Sequence, residues 1–253
     1  MALPTINRQY LHPAWIQNPS LQPDTRDLVQ VFSLRLDHFN DKEAARLLSA
    51  QWGRYAGCLD GNEKFQRQQL AALSLRYFVV SRLLGAAVED VAFHDGRGKK
   101  LELARPAVTP PLYLSQSHTD RYLMLAVSPI PCGVDVESLR RPASYPHLLE
   151  KAFPPAWRAD IDALPPESEE AAQRFTAYWT ALEAWYKLRG TGSFPSFLRS
   201  VRDVDRTAQQ DPAWEETRLY PVQVDRDYWA CLALVSKSVS IQFCRVESTA
   251  IPG

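Results

Sequence analysis

This 253-residue chain has no excess of charge of either sign: Lys and Arg total 29, and Asp and Glu total 29. Proteins that hold a nucleic-acid backbone or an anionic membrane by many phosphate contacts carry a basic surplus. Neither nucleic acid nor membrane is therefore expected as a partner, and any polyanion must be met locally by a few residues. Cysteine is scarce. Cys58, Cys132, Cys231 and Cys244 stand far apart, with no Cys-x-x-Cys pair and no Cys/His cluster of the zinc kind, which fits a reducing cytosol. Long hydrophobic runs are missing too: no segment approaches the roughly 18 apolar residues of a membrane span. The N-terminal stretch MALPTINRQYLHPAW lacks the apolar stretch of an export signal. The expectation is a cytoplasmic, monomeric protein. What is present is an ordinary globular composition, 45% apolar and 23% charged with seven tryptophans, in a length that suits one large domain or two of about 125 residues.

Hydrophobic periodicity predicts the main elements. Residues 28–36, LVQVFSLRL, read as a strand, and Asn40-Asp41 as the cap of a helix running from Ala44 to Tyr55. From Glu63 to Leu84 the apolar positions Leu70, Leu73, Tyr77, Val80 and Leu84 recur at spacings of three and four, the stripe of an amphipathic helix that stops before Gly85. DGRGKK, residues 95–100, reads as a basic turn, and RPAVTPP, residues 105–111, as an extended connection from which three prolines exclude helix. Strands follow at Tyr122–Ser128 and in GVDVE, residues 133–137. A second striped helix spans about Glu169 to Arg189, through Phe175, Tyr178, Trp179, Leu182, Trp185 and Tyr186, and two strands, 228–236 and 239–247, close the chain.

The two long helices begin 106 residues apart, and the strands YLMLAVS (122–128) and WACLALV (229–235) are offset by 107. The matching displacements suggest one helix-plus-sheet unit used twice, with chance as the competing explanation. A site between two related halves is a usual place for a ligand.

Several residues have chemistry to offer. Asp135 and Glu137 alternate with Val134 and Val136, so their carboxylates project from one strand face, where two oxygen donors suit magnesium. An isolated D-x-E is more commonly an exposed polar face. Glu183 lies mid-helix beside Trp179 and Tyr186, where a carboxylate is costly to desolvate unless a cation compensates. Lys187 follows one turn later, and the bland reading of that pair is an i,i+4 ion pair worth a few tenths of a kcal/mol. Ser117-His118-Thr119 sits before a strand, with no Ser-His-Asp order resembling a hydrolase. Together with Arg97, Lys99 and Lys100 it forms a candidate phosphate-binding group, although GRGKK is not a Walker loop.

In combination these motifs resemble the 4′-phosphopantetheinyl transferases of the larger, surfactin-synthetase-activating type. That family carries S-H-[ST], then G-[IV]-D-[IV]-E, then W-[ST]-x-K-E-[AS]-x-x-K. Here the matching runs are Ser117-His118-Thr119, Gly133 to Glu137, and Trp179 to Lys187. The resemblance covers about Leu70 to Gly192. It departs at Leu182, where the family usually has Lys, at Ser115-Gln116, and at Lys100, where G-K-P is common.

The resemblance implies an α+β fold of two similar halves, each a helix packed on an antiparallel sheet, related by a pseudo-twofold. Residues 1–131 would contribute to binding coenzyme A, and residues 132–253 would carry the metal-binding carboxylates. The implied reaction moves 4′-phosphopantetheine from coenzyme A to a serine of an apo acyl or peptidyl carrier protein and releases 3′,5′-ADP. Asp135, Glu137 and Glu183 would hold Mg2+. Lys187 would stabilise the leaving phosphate, and Glu183, or Glu137 through water, would take the serine proton. Lys64, Arg97, Lys99, Lys100, Ser117, His118 and Lys187 would bind the coenzyme. Two other readings stand beside this one: a different Mg2+-dependent phosphoryl enzyme such as a nuclease or phosphatase, and a non-catalytic module that binds coenzyme A or a carrier protein.

Overall fold

The structure is a computed structural model that describes residues 5–6, 11–17, 19, 21, 28–48, 62–94, 100–140, 146–190, 192–202, 216–235 and 239–247. In chain order its strands are β1 (Thr5–Ile6), β2 (Ile16–Gln17), β3 (Val29–Arg35), β4 (Ala92–His94), β5 (Glu102–Arg105), β6 (Tyr113–His118), β7 (Tyr122–Ser128), β8 (Cys132–Ser138), β9 (Thr217–Gln223), β10 (Tyr228–Val235) and β11 (Ile241–Val246). The α-helices are α1 (Asp41–Leu47), α2 (Glu63–Leu84), α3 (Pro146–Ala152), α4 (Pro155–Asp162), α5 (Glu169–Arg189) and α6 (Phe194–Arg202). The fold class is α+β.

The chain forms two compact units. One is Ala14–Pro131 with Val239–Gly253, and the other is Cys132–Ser238 with Met1–Pro13. The chain ends cross over, so neither unit is a continuous half. Pairing explains the exchange. β11 lies parallel to β3, between it and β2, in a sheet ordered β2-β11-β3-β7-β6-β5-β4. β1 lies parallel to β9 at the edge of the other sheet, ordered β1-β9-β10-β8. Each sheet thus has the expected antiparallel centre, β3-β7-β6 in one and β8-β10-β9 in the other, with parallel strands added by the chain ends.

Both long helices form where their stripes and terminal glycines predict, and each is capped at its start. The Asn62 side chain accepts from Phe65 N at 2.9 Å and the Ser168 side chain from Ala171 N at 3.1 Å, each satisfying one of the amides that the first turn leaves open. Both helices end on a left-handed glycine, Gly85 and Gly190. In the first unit, Leu73, Tyr77 and Val80 of α2 pack with Phe32, Leu34, Leu125 and Val127 of the sheet. In the second, Phe175, Leu182, Trp185 and Leu188 of α5 pack with Phe197, Leu219, Cys231 and Ala233.

Three differences from the sequence reading have physical causes. The first helix begins earlier, at Asp41, because the Asn40 side chain accepts from Lys42 N, and the expected remainder from 49 to 55 lies outside the described residues. β6 forms where the sequence pattern offers no strand; its polar YLSQSH run pairs throughout with apolar β7, which supplies the burial. β9 is hidden by Pro221, which breaks a strand pattern in sequence. The Pro221 carbonyl still accepts from Leu11 N at 2.9 Å, and beyond β9 the described residues of the sheet are the short β1 and the bridge at Leu11. The basic turn 95–99, with Arg97 and Lys99, lies outside the described residues. No helix among the described residues is long and apolar enough to cross a membrane.

Candidate active site

Alternation along β8 sends Gly133, Asp135 and Glu137 to one side and Cys132, Val134 and Val136 to the other. The first side meets α5. Asp135 is buried opposite Cys231 of β10, and its Oδ1 accepts from Lys187 Nζ of α5 at 2.8 Å. The same ammonium donates to Val134 O at 3.2 Å. Lys187 therefore reaches across to the strand, in place of the surface pair with Glu183 that helix spacing alone suggests. Its anchor is a carboxylate with almost no access to water.

Glu183 lies one turn before Lys187. One carboxylate oxygen from each of Asp135, Glu137 and Glu183 lies within 4.8 Å of the others. Such crowding raises the cost of ionising all three. Burial, the neighbouring Asp135 and then Glu137 push the Glu183 carboxyl up to about 8, against the opposing pull of Lys187. Glu137 is raised as well, first by burial and then by Asp135, while Arg140 pulls the other way.

Arg140 is a participant that sequence reasoning missed. Its Nη2 donates to Glu137 Oε2 at 2.6 Å, and its backbone N donates to the buried Thr176 Oγ1 at 2.8 Å, so α5 fixes the loop that carries the guanidinium. The only signal in sequence was a basic residue three places after the second carboxylate. Among the described residues, two cations, Arg140 and Lys187, contact this group of three carboxylates. An all-oxygen donor set of this kind fits Mg2+, which takes few protein carboxylates and keeps waters. Asp135, Glu137 and Glu183 are the residues present to hold it. Leu182, at the position where the resemblance expects Lys, is fully buried in the core beneath α5 and offers no phosphate contact.

The other expected group lies in the unit built around β3. His118 ends β6 with its side chain exposed, and Ser117 beside it is buried. Thr119 closes the β6–β7 turn, its Oγ1 accepting from Tyr122 N at 3.0 Å and from Arg121 N at 3.2 Å. Gln68 Nε2 donates to Thr119 O at 3.0 Å, which brings the start of α2 to this turn. Lys64, exposed and one turn before Gln68, lies on the same face of α2. Lys100, half-buried, precedes β5 on the side that runs toward the His118 end of β6. The structure thus brings Lys64 near the His118 turn and leaves Lys100 farther along the sheet.

This α+β unit gathers at one strand–helix seam three carboxylates that could hold a cation. Its sequence sharpens this: residues 131–233, which include β8, α5 and β10, match the model of the 4′-phosphopantetheinyl transferase superfamily. A search of curated proteins found no match to the chain.

Proposed function

We propose that the protein transfers the 4′-phosphopantetheine arm of coenzyme A to a serine hydroxyl of an apo acyl or peptidyl carrier protein, releasing 3′,5′-ADP. The observation that carries this reading is the convergence of Asp135, Glu137 and Glu183 inside the segment that matches the transferase superfamily. Phosphoryl transfer depends mainly on positioning and charge neutralisation. Asp135, Glu137 and Glu183 would hold a Mg2+, which would supply that neutralisation at the pyrophosphate.

The remaining roles fall to the chain itself. Glu183 is the first choice to take the serine proton as the serine oxygen bonds to the phosphorus of the pantetheine arm and the bond to the nucleotide phosphate breaks. Glu183 lies one turn from Lys187 on α5 and faces Asp135 and Glu137, whereas Arg140 holds Glu137, the second choice, which would act through water. Lys187, held by Asp135 yet partly open to solvent, stabilises the charge that grows on the departing 3′,5′-ADP. His118 and Ser117, with Lys64, Lys100, Arg97 and Lys99, form the basic group for the coenzyme's 3′-phosphate. The protein acts in the cytoplasm as a monomer.

The test is incubation with coenzyme A, Mg2+ and a panel of apo carrier proteins, read by intact mass of the carrier and by release of 3′,5′-ADP. One modified carrier supports the reading and names the pathway. No transfer to any of them, together with no binding of coenzyme A, would return the cluster to another Mg2+-dependent phosphoryl enzyme. Binding without transfer would leave a non-catalytic module.

A further inference from the structure

We infer that Gly133 is a positioning residue: by carrying no side chain it lets α5 approach β8 closely enough for Glu183 and Lys187 to reach Asp135 and Glu137. The inference rests on the metal-dependent reading above and concerns what assembles that site. A Cβ built on Gly133 would lie 2.0 Å from Ala184 O and 2.6 Å from Leu188 N. Both are backbone atoms of α5, and they belong to the neighbours of Glu183 and Lys187. Rotation of a side chain therefore cannot relieve the overlap; the helix or the strand must move.

Gly133 shares its strand face with Asp135 and Glu137, so any retreat of the helix opens the gap in which the three carboxylates meet. They lie within 4.8 Å of one another, and the Lys187 contact is 2.8 Å, so a retreat of about 1 Å takes that contact past hydrogen-bonding distance. The fold itself does not demand a glycine here. In the other unit β3 pairs with β7 as β8 pairs with β10, and counting from the first residues of β7 and β10 places Gln30 where β8 has Gly133. Gln30 is buried with its amide donated to Gln242 at 2.8 Å, so the same topology accepts a full side chain at that point. The close approach belongs to the unit with the carboxylates.

The experiment measures Mn2+ affinity of the full chain by the EPR signal of the free ion, without coenzyme or carrier. Gly133→Ala should weaken Mn2+ binding by about tenfold or more, the scale of lost support for metal ligands, while far-UV circular dichroism stays that of the parent. Asp135→Glu, which weakens binding in the parent, should strengthen it in the Gly133→Ala background, because one added methylene spans the widened gap. A purely structural glycine would not produce that reversal of sign. Gly85→Ala, which strains a left-handed cap in the other unit, should lower stability and leave Mn2+ affinity unchanged. If Gly133→Ala does not fold, Ala184→Val, which thickens the fully buried helix segment across the same gap, should weaken Mn2+ binding likewise. Parent-like affinity in the folded Gly133→Ala protein, or in Ala184→Val where that variant replaces it, overturns the inference alone. A parent that binds no Mn2+ overturns the metal-dependent reading and this inference with it.

Discussion

The two units repeat one run of elements and put opposite chemistry at the same place in it. In each, a strand is followed by a long capped helix and then a hairpin whose second strand returns beside the first: β3, α2, β6, β7 in one and β8, α5, β9, β10 in the other. Tyr122 opens β7 opposite Arg35, and Tyr228 opens β10 opposite Ser138. Counted back along β3 and β8 from those pairs, Leu34 and Phe32 correspond to Glu137 and Asp135. On the helices, the 106-residue offset shared by Asn62 and Ser168 sets Tyr77 against Glu183. The seam of the first unit is filled by Phe32, Leu34 and Tyr77, all buried in one apolar cluster, with Tyr77 edge-on to Phe93 at 5.0 Å. The seam of the second holds three carboxylates. The same topology is thus filled with hydrocarbon in one unit, and on the proposed function the acids of the other serve its chemistry, since crowding them costs stability unless a cation is bound.

The strongest way to break the comparison is to empty both seams. Asp135→Ala and Glu183→Ala should each abolish transfer, by at least about three orders of magnitude in kcat, with chemical denaturation showing a metal-free fold no less stable than the parent. Phe32→Ala should do the reverse and lose about 3–5 kcal/mol by leaving a cavity. A stable Phe32→Ala protein, or an active Asp135→Ala protein, would dissolve the distinction between the two seams.

Lys187 offers the next largest effect. Lys187→Met should lower kcat by about two to three orders of magnitude in single-turnover transfer, and should also cost about 1–3 kcal/mol because it leaves the buried Asp135 charge without its partner. Adding Asp135→Asn should recover the stability and none of the turnover. An unimpaired Lys187→Met enzyme would return this lysine to a merely structural pair.

A pH series sharpens the contrast at a smaller scale. The Glu183 carboxyl is raised to about 8 from an ordinary 4.5, so the metal-free fold binds its proton more tightly than the unfolded chain does. Stability from this group is complete below about pH 4.5 and is lost as pH rises through about 8. Mg2+ needs the ionised form, so the rise in Tm on adding Mg2+ should be larger at pH 8.5 than at pH 6, and Glu183→Gln should flatten the difference. Thermal melts in EDTA and in Mg2+ measure it, and a gain independent of pH would count against the cluster as the ion's site.

The smallest effect belongs to the unit without the acids. His118→Ala should raise KM for coenzyme A more than it lowers kcat, and dephospho-coenzyme A should be nearly indifferent to the change. An equal loss with both substrates would place His118 away from the 3′-phosphate.

Both long helices were legible in sequence, because stripe and terminal glycine agree at Glu63–Leu84 and about Glu169–Arg189, while their caps Asn62 and Ser168 were not read. Asp135, Glu137 and Glu183 were legible as candidates because the motifs name them, and the structure gathers them. The reach of Lys187 to Asp135 was not, since two residues 52 positions apart meet only through the packing of α5 on β8. Arg140 lies three places after Glu137, and what hid its part was the Thr176 hydroxyl of α5, 36 positions on, which fixes its loop. β6 and β9 escaped because their burial comes from β7 and β10, so their own sequences need not show it.

The crossing of the chain ends carries a consequence for biogenesis. β3 leaves the ribosome early, yet one of its two neighbours, β11, is made of residues 241–246. Vectorial synthesis therefore makes residues 36–240 while an edge of β3 still lacks its permanent partner, and an open edge of that kind is a template for wrong pairing. β11 thus closes the sheet of β3, so a nascent chain stalled or cleaved before residue 241 damages a unit built mostly from residues 14–131, far from the break.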